Sequence, residues 1–189
     1  MNKLVTAGVD EVGRGCLAGP VVAAAVILKK GINLKILKDS KKLNFNKREK
    51  IFDHIKNNSY YSIGLASVEE ILNLNILQAS LLSMKRAIEK LSIEPGLTLI
   101  DGNFAPKGLK NYRTIIKGDE KIKVISAASI VAKVFRDRLM IKLSKKFSYY
   151  AWERNFGYGT KAHFEGLKKF GISSHHRKGF KPIHKILFS

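Results

Sequence analysis

Cysteine, acidic residues and long hydrophobic runs are scarce in this sequence. Cys16 is the only cysteine among 189 residues, so the chain can form no internal disulfide, and a reducing compartment is expected. The apolar run Val21–Leu28 is far shorter than the roughly 20 residues that span a bilayer. Asp10, Glu11 and Arg14 interrupt the N-terminal segment, which argues against a signal peptide. These absences predict a cytoplasmic protein.

Negative charge is the other shortage. Lysine and arginine number 35 against 15 aspartates and glutamates, which gives a formal net charge of +20. Such an excess attracts polyanions and speeds their capture in a salt-dependent way. A lysine-rich surface that is merely solvated is the alternative explanation. Binding to a membrane surface is not indicated, because the sequence has no basic amphipathic helix with a broad aromatic face. The charge therefore favours a nucleic-acid partner without establishing one.

Hydrophobic periodicity predicts one α/β domain around a single core. Strands are expected at Leu4–Val9 (ending at Asp10 and Glu11), Val21–Leu28, Tyr60–Ala66, Leu97–Ile100 and Tyr112–Ile116. Helices are expected at Lys47–Lys56, from Ser67 to about Leu91, from Ser126 to about Leu143, and from Thr160 to a stop at Gly171. Ser67 and Glu70 form a capping box at the start of the second helix. Strands mixed with helices of this length indicate a sheet with helices on its faces.

The few acids stand where acids are unusual. Asp10 and Glu11 come at the end of an apolar strand and Asp101 at the end of another, positions where open α/β sheets build their sites. Asp137 falls on the apolar stripe of the third predicted helix, so its side chain is expected to point to the core. Lys133 lies one turn earlier, and a structural salt bridge is the alternative explanation for Asp137.

Convergence of these four acids would create a site for hard cations. Their mutual repulsion would raise their pKa values unless cations neutralise them. Oxygen ligands suit Mg²⁺ or Mn²⁺ rather than Zn²⁺, and two such ions about 4 Å apart hold a phosphodiester for in-line attack. Adjacent residues of a regular strand point to opposite faces, so at most one of Asp10 and Glu11 faces the site directly. Spacing alone does not establish the convergence.

Several motifs follow one another along the whole chain. In order they are Gly8-Val9-Asp10-Glu11-Val12-Gly13-Arg14-Gly15, Leu17–Ala24, Asp39-Ser40-Lys41-Lys42-Leu43, Asn75–Ser80, Asp101-Gly102-Asn103, Lys117-Gly118-Asp119, Ala127–Val134 with Arg136-Asp137, Gly157–His163, and His176-Arg177. Each motif is weak alone, but in this order the sequence closely resembles the ribonuclease HII family.

The resemblance implies a fold and an activity. The fold is the ribonuclease H-like α/β fold, a central mixed β-sheet flanked by helices with a C-terminal helical extension. One catalytic domain is expected over residues 1–189, with the α/β core to about residue 145 and a substrate-contacting extension over 146–189. The implied enzyme cuts on the 5′ side of a ribonucleotide in RNA/DNA hybrids or in duplex DNA with embedded ribonucleotides, leaving a 5′-phosphate and a 3′-hydroxyl. Ribonucleotide excision and RNA primer removal are the implied roles.

The resemblance also implies site residues and partners. The metal-binding and catalytic acids correspond to Asp10, Glu11, Asp101 and Asp137, which would hold two Mg²⁺ or Mn²⁺ ions during catalysis. The minor-groove reader corresponds to Gly13-Arg14-Gly15, and the tyrosine at the RNA–DNA junction to Tyr158. Candidates for phosphate contact are Lys41, Lys42, Lys161 and Arg177. The expected partner is nucleic acid, with no membrane, no identified protein partner and a monomeric chain.

The residue types suit these roles physically. A 2′-hydroxyl lies in the wide minor groove of an A-like hybrid, and glycines at positions 13 and 15 allow close approach of backbone groups. Tyr158 could place its ring against a deoxyribose that lacks this hydroxyl. Ordinary packing of Tyr158 and a plain strand connection at Gly13 are the alternative explanations.

Other interpretations are weaker or stay open. Gly13-x-Gly15-x-x-Ala18 fits a dinucleotide-binding pattern, but Pro20 and a strand follow where a helix is required. The histidines show no zinc spacing and are expected to contact phosphate or solvent. Gly179 and Ile172 replace a serine and a proline common in the family, which weakens inference about substrate contacts of the C-terminal segment. A non-catalytic nucleic-acid-binding protein and a DNA nuclease on the same fold remain alternatives.

Overall fold

The computed structural model describes residues 4–33 and 45–187. Within them the sheet has the strand order β3-β2-β1-β4-β5. The strands are β1 Thr6–Val12, β2 Val21–Leu28, β3 Ser59–Ala66, β4 Leu97–Asp101 and β5 Tyr112–Ile115. β2 runs antiparallel to β1 and β3, whereas β4 runs parallel to β1 and β5. The expected mixed sheet is therefore confirmed.

One strand differs from its prediction in a way that affects the site. β1 does not end at the two acids but continues to Val12, because its ladder with β2 extends to the pair Val12↔Val22. Asp10 and Glu11 are thus strand residues opposite Ala24 and Ala23. The position of β2 agrees with the prediction at both ends.

The helices lie on both faces of the sheet and beyond its edge. They are α1 Phe45–Asn57, α2 Val68–Glu89, α3 Gly118–Lys121, α4 Lys123–Ser144, α5 Trp152–Asn155, α6 Lys161–Phe170 and α7 Lys181–Leu187. The capping box of α2 is present at Ser67 and Glu70. Thr160 caps α6, which ends at Gly171, but α6 is not the last helix because α7 follows. Across the described ranges, no helix combines the length and apolar character needed to cross a bilayer.

Two further helix predictions are wrong in detail. α2 is interrupted at Asn75, whose backbone has φ 68° and ψ 166° and whose Oδ1 accepts the amide N–H groups of Leu77 and Gln78. The apolar residues keep the same spacing on both sides of Asn75, so hydrophobic periodicity did not reveal the interruption. α4 begins at Lys123, not at Ser126, which is buried within the helix.

α4 and α2 cover opposite faces of the central strands. Ala127, Ala128 and Val131 of α4 pack against Ala24 and Val26 of β2. A side chain at Gly8 would overlap the backbone of α4, so a glycine in β1 allows the helix to lie very close. On the other face α2 packs against Val9, Ala23 and Ala25. The alternation along β1 therefore directs Asp10 to the α4 face.

The segment after α4 packs on the loop between β1 and β2. Its core joins Leu17 and Ala18 of that loop and Met140 of α4 to residues of the last helices: Trp152, Leu167 and Ile183. An antiparallel bridge between Ala18 and His176 attaches the C-terminal segment to the same loop.

Two histidines lie inside this core, although they were expected at phosphate or in solvent. His163 and His176 are 0% and 1% exposed, and their Nε2 atoms are 3.0 Å apart. Trp152 Nε1–H donates to His163 Nε2 at 3.1 Å, the Ser173 amide donates to His176 Nδ1 at 2.8 Å, and His163 Nδ1 contacts the Tyr158 carbonyl at 2.9 Å. With both rings neutral, and the proton on Nδ1 of His163 and Nε2 of His176, each of these contacts joins a donor to an acceptor, and His163 Nε2 is shared by two donors.

The histidine pair predicts a loss of stability in acid. Burial lowers the pKa of His176 from 6.5 to about 4, and burial also lowers that of His163. The unfolded chain therefore binds protons between pH 6.5 and 4 that the folded chain does not bind. His176 should thus reduce the free energy of unfolding by roughly 3 kcal/mol between pH 7 and pH 4.

Urea denaturation across this pH range measures the effect. His176→Gln should flatten the pH dependence relative to the parent chain, whereas His184→Gln, on exposed α7, should keep the parent slope. Equal slopes for the parent and His176→Gln would contradict this prediction.

Candidate active site

Asp10 and Asp101 are neighbours because β1 and β4 are parallel. The ladder pairs Gly8 with Leu99 and Val9 with Ile100, so the next positions in register are Asp10 and Asp101. Strands in a sheet lie about 4.8 Å apart, and side chains at paired positions point to the same face. Ser129 on α4 donates a hydrogen bond to the carboxylate of Asp10. The two acids thus lie between the sheet and α4.

Glu11 belongs to the same acid cluster despite the alternation of the strand. Its negative charge raises the pKa of Asp10, and the charge of Asp101 raises that of Glu11. β4 ends at Asp101, and the space at the Cβ position of Gly102 is open, so the side chain of Glu11 has room beyond the end of β4. Arg14 donates to Glu11 Oε1 at 3.0 Å and fixes that carboxylate.

The electrostatics of this cluster favour a bound cation. Burial is the largest cause that raises the pKa of Asp10, followed by the charge of Glu11, with a smaller contribution from Asp101. Burial also raises the pKa of Glu11, although Arg14 opposes it. An all-carboxylate donor set fits Mg²⁺ or Mn²⁺. In residues 4–33 and 45–187, however, no three acid, histidine or cysteine side chains already form a complete cage for an ion.

Asp119 is a buried acid beside this cluster that the sequence analysis left without a role. The Gly118 and Asp119 amides donate to Asp101 Oδ1 at 2.6 and 3.3 Å. Asp119 itself is only 8% exposed. The motif Lys117-Gly118-Asp119 was the available signal. That motif is part of the family resemblance, but its acid follows β5, which is short and mostly exposed, unlike the apolar strands that hold or precede Asp10 and Asp101.

Asp137 does not join the other acids, so the expected convergence of all four is wrong. It is 1% exposed, and its carboxylate contacts Lys133 Nζ at 2.7 Å and Arg48 Nη1 at 3.7 Å. Ser129, which contacts Asp10, lies two helical turns earlier, about 12 Å along the axis. The expected core-facing orientation and the pairing with Lys133 are both present, which favours the salt-bridge explanation for Asp137.

A cleft of about 300 Å³ extends from the acids to these cations. It is lined in part by Glu11, Arg48, Ser129, Lys133 and Tyr158. Lys133 Nζ lies 4.7 Å from the ring centroid of Phe156 and 6.0 Å from that of Tyr158. A substrate in this cleft would therefore meet carboxylates at one end and positive charge at the other.

Gly13 and Gly15 occupy different environments. Gly13 has φ +90°, and a side chain there would overlap the guanidinium of Arg136. Gly15 has no such φ, and nothing lies within 4 Å of its Cβ position. The fold thus requires glycine at position 13, while glycine at position 15 leaves open space above the loop. Arg14, between them, has a half-exposed side chain.

The remaining candidates divide into exposed and buried residues. Tyr158 is 40% exposed and borders the cleft. The Lys161 side chain is almost fully exposed on α6 and lies 4.0 Å from Glu165. Arg177 is only 1% exposed and donates to backbone carbonyl groups, so its expected contact with phosphate is wrong. Lys41 and its motif, residues 39–43, lie outside the described residues.

The fold and the acid cluster together define a nuclease of the ribonuclease H-like class. In this structure two adjacent parallel strands of a mixed sheet each present a carboxylate under a covering helix. The model of the ribonuclease HII family matches residues 7–188, and the chain belongs to that family. It is therefore a ribonuclease H enzyme, as the resemblance implied.

Relatives and solved structures agree with this assignment. Ribonuclease HII of Pelagibacter ubique is 59% identical over 185 residues, which are 97% of this chain and 99% of that protein. Ribonuclease HII of Macrococcus caseolyticus is 50% identical, over 98% of this chain and 70% of its own. The ribonuclease H2 from Pyrococcus horikoshii has a TM-score of 0.80 at 30% identity, with 96% of each chain covered. The ribonuclease HII of Archaeoglobus fulgidus, solved in a complex with PCNA, has a TM-score of 0.74 at 27% identity over 94% of this chain and 96% of that one.

The two glycines give a matched pair of variants. Gly13→Ala should lower the free energy of unfolding by at least about 1 kcal/mol, because alanine is strained at positive φ and would displace Arg136. Gly15→Ala should leave stability within about 0.5 kcal/mol of the parent chain. Thermal and urea denaturation measure both. Equal destabilisation by the two substitutions would show that the loop does not have this conformation in solution.

Proposed function

We propose that this enzyme cuts the phosphodiester on the 5′ side of a ribonucleotide, in RNA/DNA hybrids and in duplex DNA with embedded ribonucleotides. The products would be a 3′-hydroxyl and a 5′-phosphate, and the cellular roles ribonucleotide excision and RNA primer removal in the cytoplasm. The observation that carries the proposal is the pair of carboxylates, Asp10 and Asp101, in register on parallel strands beside a basic cleft.

Asp10, Glu11 and Asp101 would hold Mg²⁺ or Mn²⁺, two ions during catalysis. Asp119 is a better fourth ligand than Asp137, because its backbone is already hydrogen-bonded to Asp101 whereas Asp137 is neutralised by Lys133 and Arg48. When bound, such ions would activate the attacking water and stabilise charge on the leaving 3′ oxygen.

The chain's own residues would bind and orient the substrate. Lys133 and Arg48, held by Asp137, place positive charge in the cleft where a backbone phosphate would lie. Arg14 is fixed by Glu11, so its guanidinium is held next to the acids. Gly15 leaves the loop open to a minor groove, where the 2′-hydroxyl distinguishes RNA from DNA. The exposed ring of Tyr158 would then contact the adjacent deoxyribose, and exposed Lys161 the phosphate backbone beyond it.

We further propose that the chain acts as a monomer and one catalytic domain. Residues up to about 145 would form the catalytic core, and residues 146–189 an extension that contacts substrate. The shared core of Leu17, Met140 and Trp152 supports this division, because it joins the extension to the loop that carries Arg14.

A substrate comparison tests the activity. A labelled DNA duplex with one embedded ribonucleotide is incubated with Mg²⁺ or Mn²⁺ beside its all-DNA twin, and only the first should be cut. Cleavage of both would indicate a DNA nuclease, and binding without cleavage in either metal would indicate a nucleic-acid-binding protein. Asp10→Asn should lower cleavage by about 100-fold or more while duplex binding persists; near-normal turnover would exclude the proposed role of Asp10.

A second comparison separates the two candidates for the fourth acid. Asp119→Asn should lower activity by about 10-fold or more and raise the Mg²⁺ concentration needed for half-maximal cleavage. Asp137→Asn should weaken substrate binding by releasing Lys133, with an unchanged metal requirement. Glu153→Gln, which changes an acid on the surface of α5, is the control. A raised metal requirement in Asp137→Asn alone would restore Asp137 as the fourth ligand.

A further inference from the structure

Two arginines are fully buried, and neither makes a salt bridge within the described parts of the chain. Arg136 of α4 is 0% exposed. Its Nε donates to the Pro20 carbonyl at 3.0 Å, its Nη2 to Ala18 at 2.9 Å and its Nη1 to Phe156 at 2.7 Å. One guanidinium therefore joins the loop of residues 13–20, which connects β1 to β2, to the residue two places before Tyr158.

Arg177 holds the other side of the same loop. It is 1% exposed, and its Nε, Nη1 and Nη2 donate to the carbonyl groups of Gly19, Arg14 and Gly13 at 3.0, 2.8 and 2.6 Å. Its backbone amide donates to the Leu17 carbonyl at 2.8 Å. The two arginines thus bind carbonyl groups from both ends of the 13–20 loop.

The direction of these bonds leaves one part of the loop open to a ligand. In the parts of the chain that the structure describes, no protein acceptor is found for the backbone amides of Arg14 and Gly15. The carbonyl groups of Gly13 and Arg14 meanwhile point inward to Arg177. Amide donors that face outward from a turn are suited to phosphate and hydroxyl oxygens.

The residues just before Tyr158 are hydrogen-bonded to the same loop and to Arg136. The Gly157 carbonyl accepts the amide N–H groups of Leu17 and Ala18 at 2.7 and 3.3 Å, and Phe156 is held by Arg136. The loop and the segment around Tyr158 therefore cannot move independently while both guanidinium groups keep their bonds.

Holding a loop with two buried like charges carries a desolvation cost. Burial, with a smaller contribution from Arg136, lowers the pKa of Arg177 from 12.5 to about 10. Apolar residues of similar volume would fill the same space without this desolvation cost. Only a planar guanidinium can donate to three carbonyl groups in fixed directions, so the geometry of the loop, rather than packing, explains why arginine is present.

We propose that Arg136 and Arg177 are positioning residues for substrate recognition, which hold the Gly13-Arg14-Gly15 backbone and Tyr158 in a fixed relative arrangement. This inference rests on the proposed function, because it takes both elements to contact the ribonucleotide-containing duplex. Neither arginine touches the substrate itself, and neither contacts the acids on β1 and β4.

Lysine substitutions test this role, because lysine keeps the charge but not the planar fork. Arg136→Lys and Arg177→Lys should each raise the KM for a duplex with one ribonucleotide by about 10-fold or more, with kcat within about threefold of the parent enzyme. The acids are held by the sheet, so kcat should change little. Arg154→Lys, on the exposed surface of α5, is the matched control and should change neither constant.

The outcomes are distinguishable from a failure of the proposed function. If the parent enzyme does not cut the single-ribonucleotide duplex, the proposed function fails. If the parent cuts it and folded lysine variants keep its KM, or lose kcat at constant KM, the positioning role is wrong. A fall in melting temperature with unchanged kcat and KM would likewise show that both arginines have only a structural role.

A measurement on the parent chain covers the case in which a lysine variant does not fold. The Nε–H signals of both arginines are followed by nuclear magnetic resonance while the duplex is added with Ca²⁺ in place of Mg²⁺. They should shift together with the amides of Gly15 and Tyr158 and with the same Kd, while the Arg154 signal stays unchanged. Shifts at Gly15 and Tyr158 without any at Arg136 or Arg177 would overturn the proposal.

Discussion

Parallel pairing of β1 with β4 is the constraint on which the active site depends. The register that pairs Val9 with Ile100 brings Asp10 and Asp101 together on one face of the sheet. Helices cover both faces, so the two carboxylates cannot move apart without breaking the ladder or its packing. Burial and neighbouring negative charge raise the pKa of Asp10, and a bound cation would remove this electrostatic penalty. The sheet thereby maintains a site that is unfavourable without a cation.

One helix connects the core, the acids and the substrate-binding loop. The small residues of α4 pack closely on β1 and β2, while polar residues at successive turns serve different parts of the site. Ser129 contacts Asp10, Lys133 enters the cleft, Arg136 holds the 13–20 loop, and Asp137 anchors Lys133. A shift of α4 along its axis would disturb all these contacts together. Gly8, which permits the close approach of the helix, therefore supports these contacts as well as the core.

The C-terminal extension is attached by directional polar contacts as well as by its apolar core. The neutral pair His163 and His176 and the buried guanidinium of Arg177 lie within it, and all three are hydrogen-bonded to backbone or to one another. Such contacts fix orientation more narrowly than apolar packing does. They join the carbonyl of Tyr158 to the segment whose Arg177 also binds the loop after β1. The loop and Tyr158, far apart in sequence, are therefore held by the same C-terminal segment.

Local signals in the sequence determined much of this protein. The apolar run of β2, the caps at Ser67 and Thr160 and the order of the motifs predicted most elements and the family, because each depends on neighbouring residues or on short patterns. The sequence could not decide between Asp119 and Asp137 as partner of the acid cluster, or show that Arg177 is buried. Those outcomes depend on strand register and on contacts between distant segments. These place Asp119 of the short helix α3 beside Asp101 and turn Arg177 inward to bind carbonyl groups.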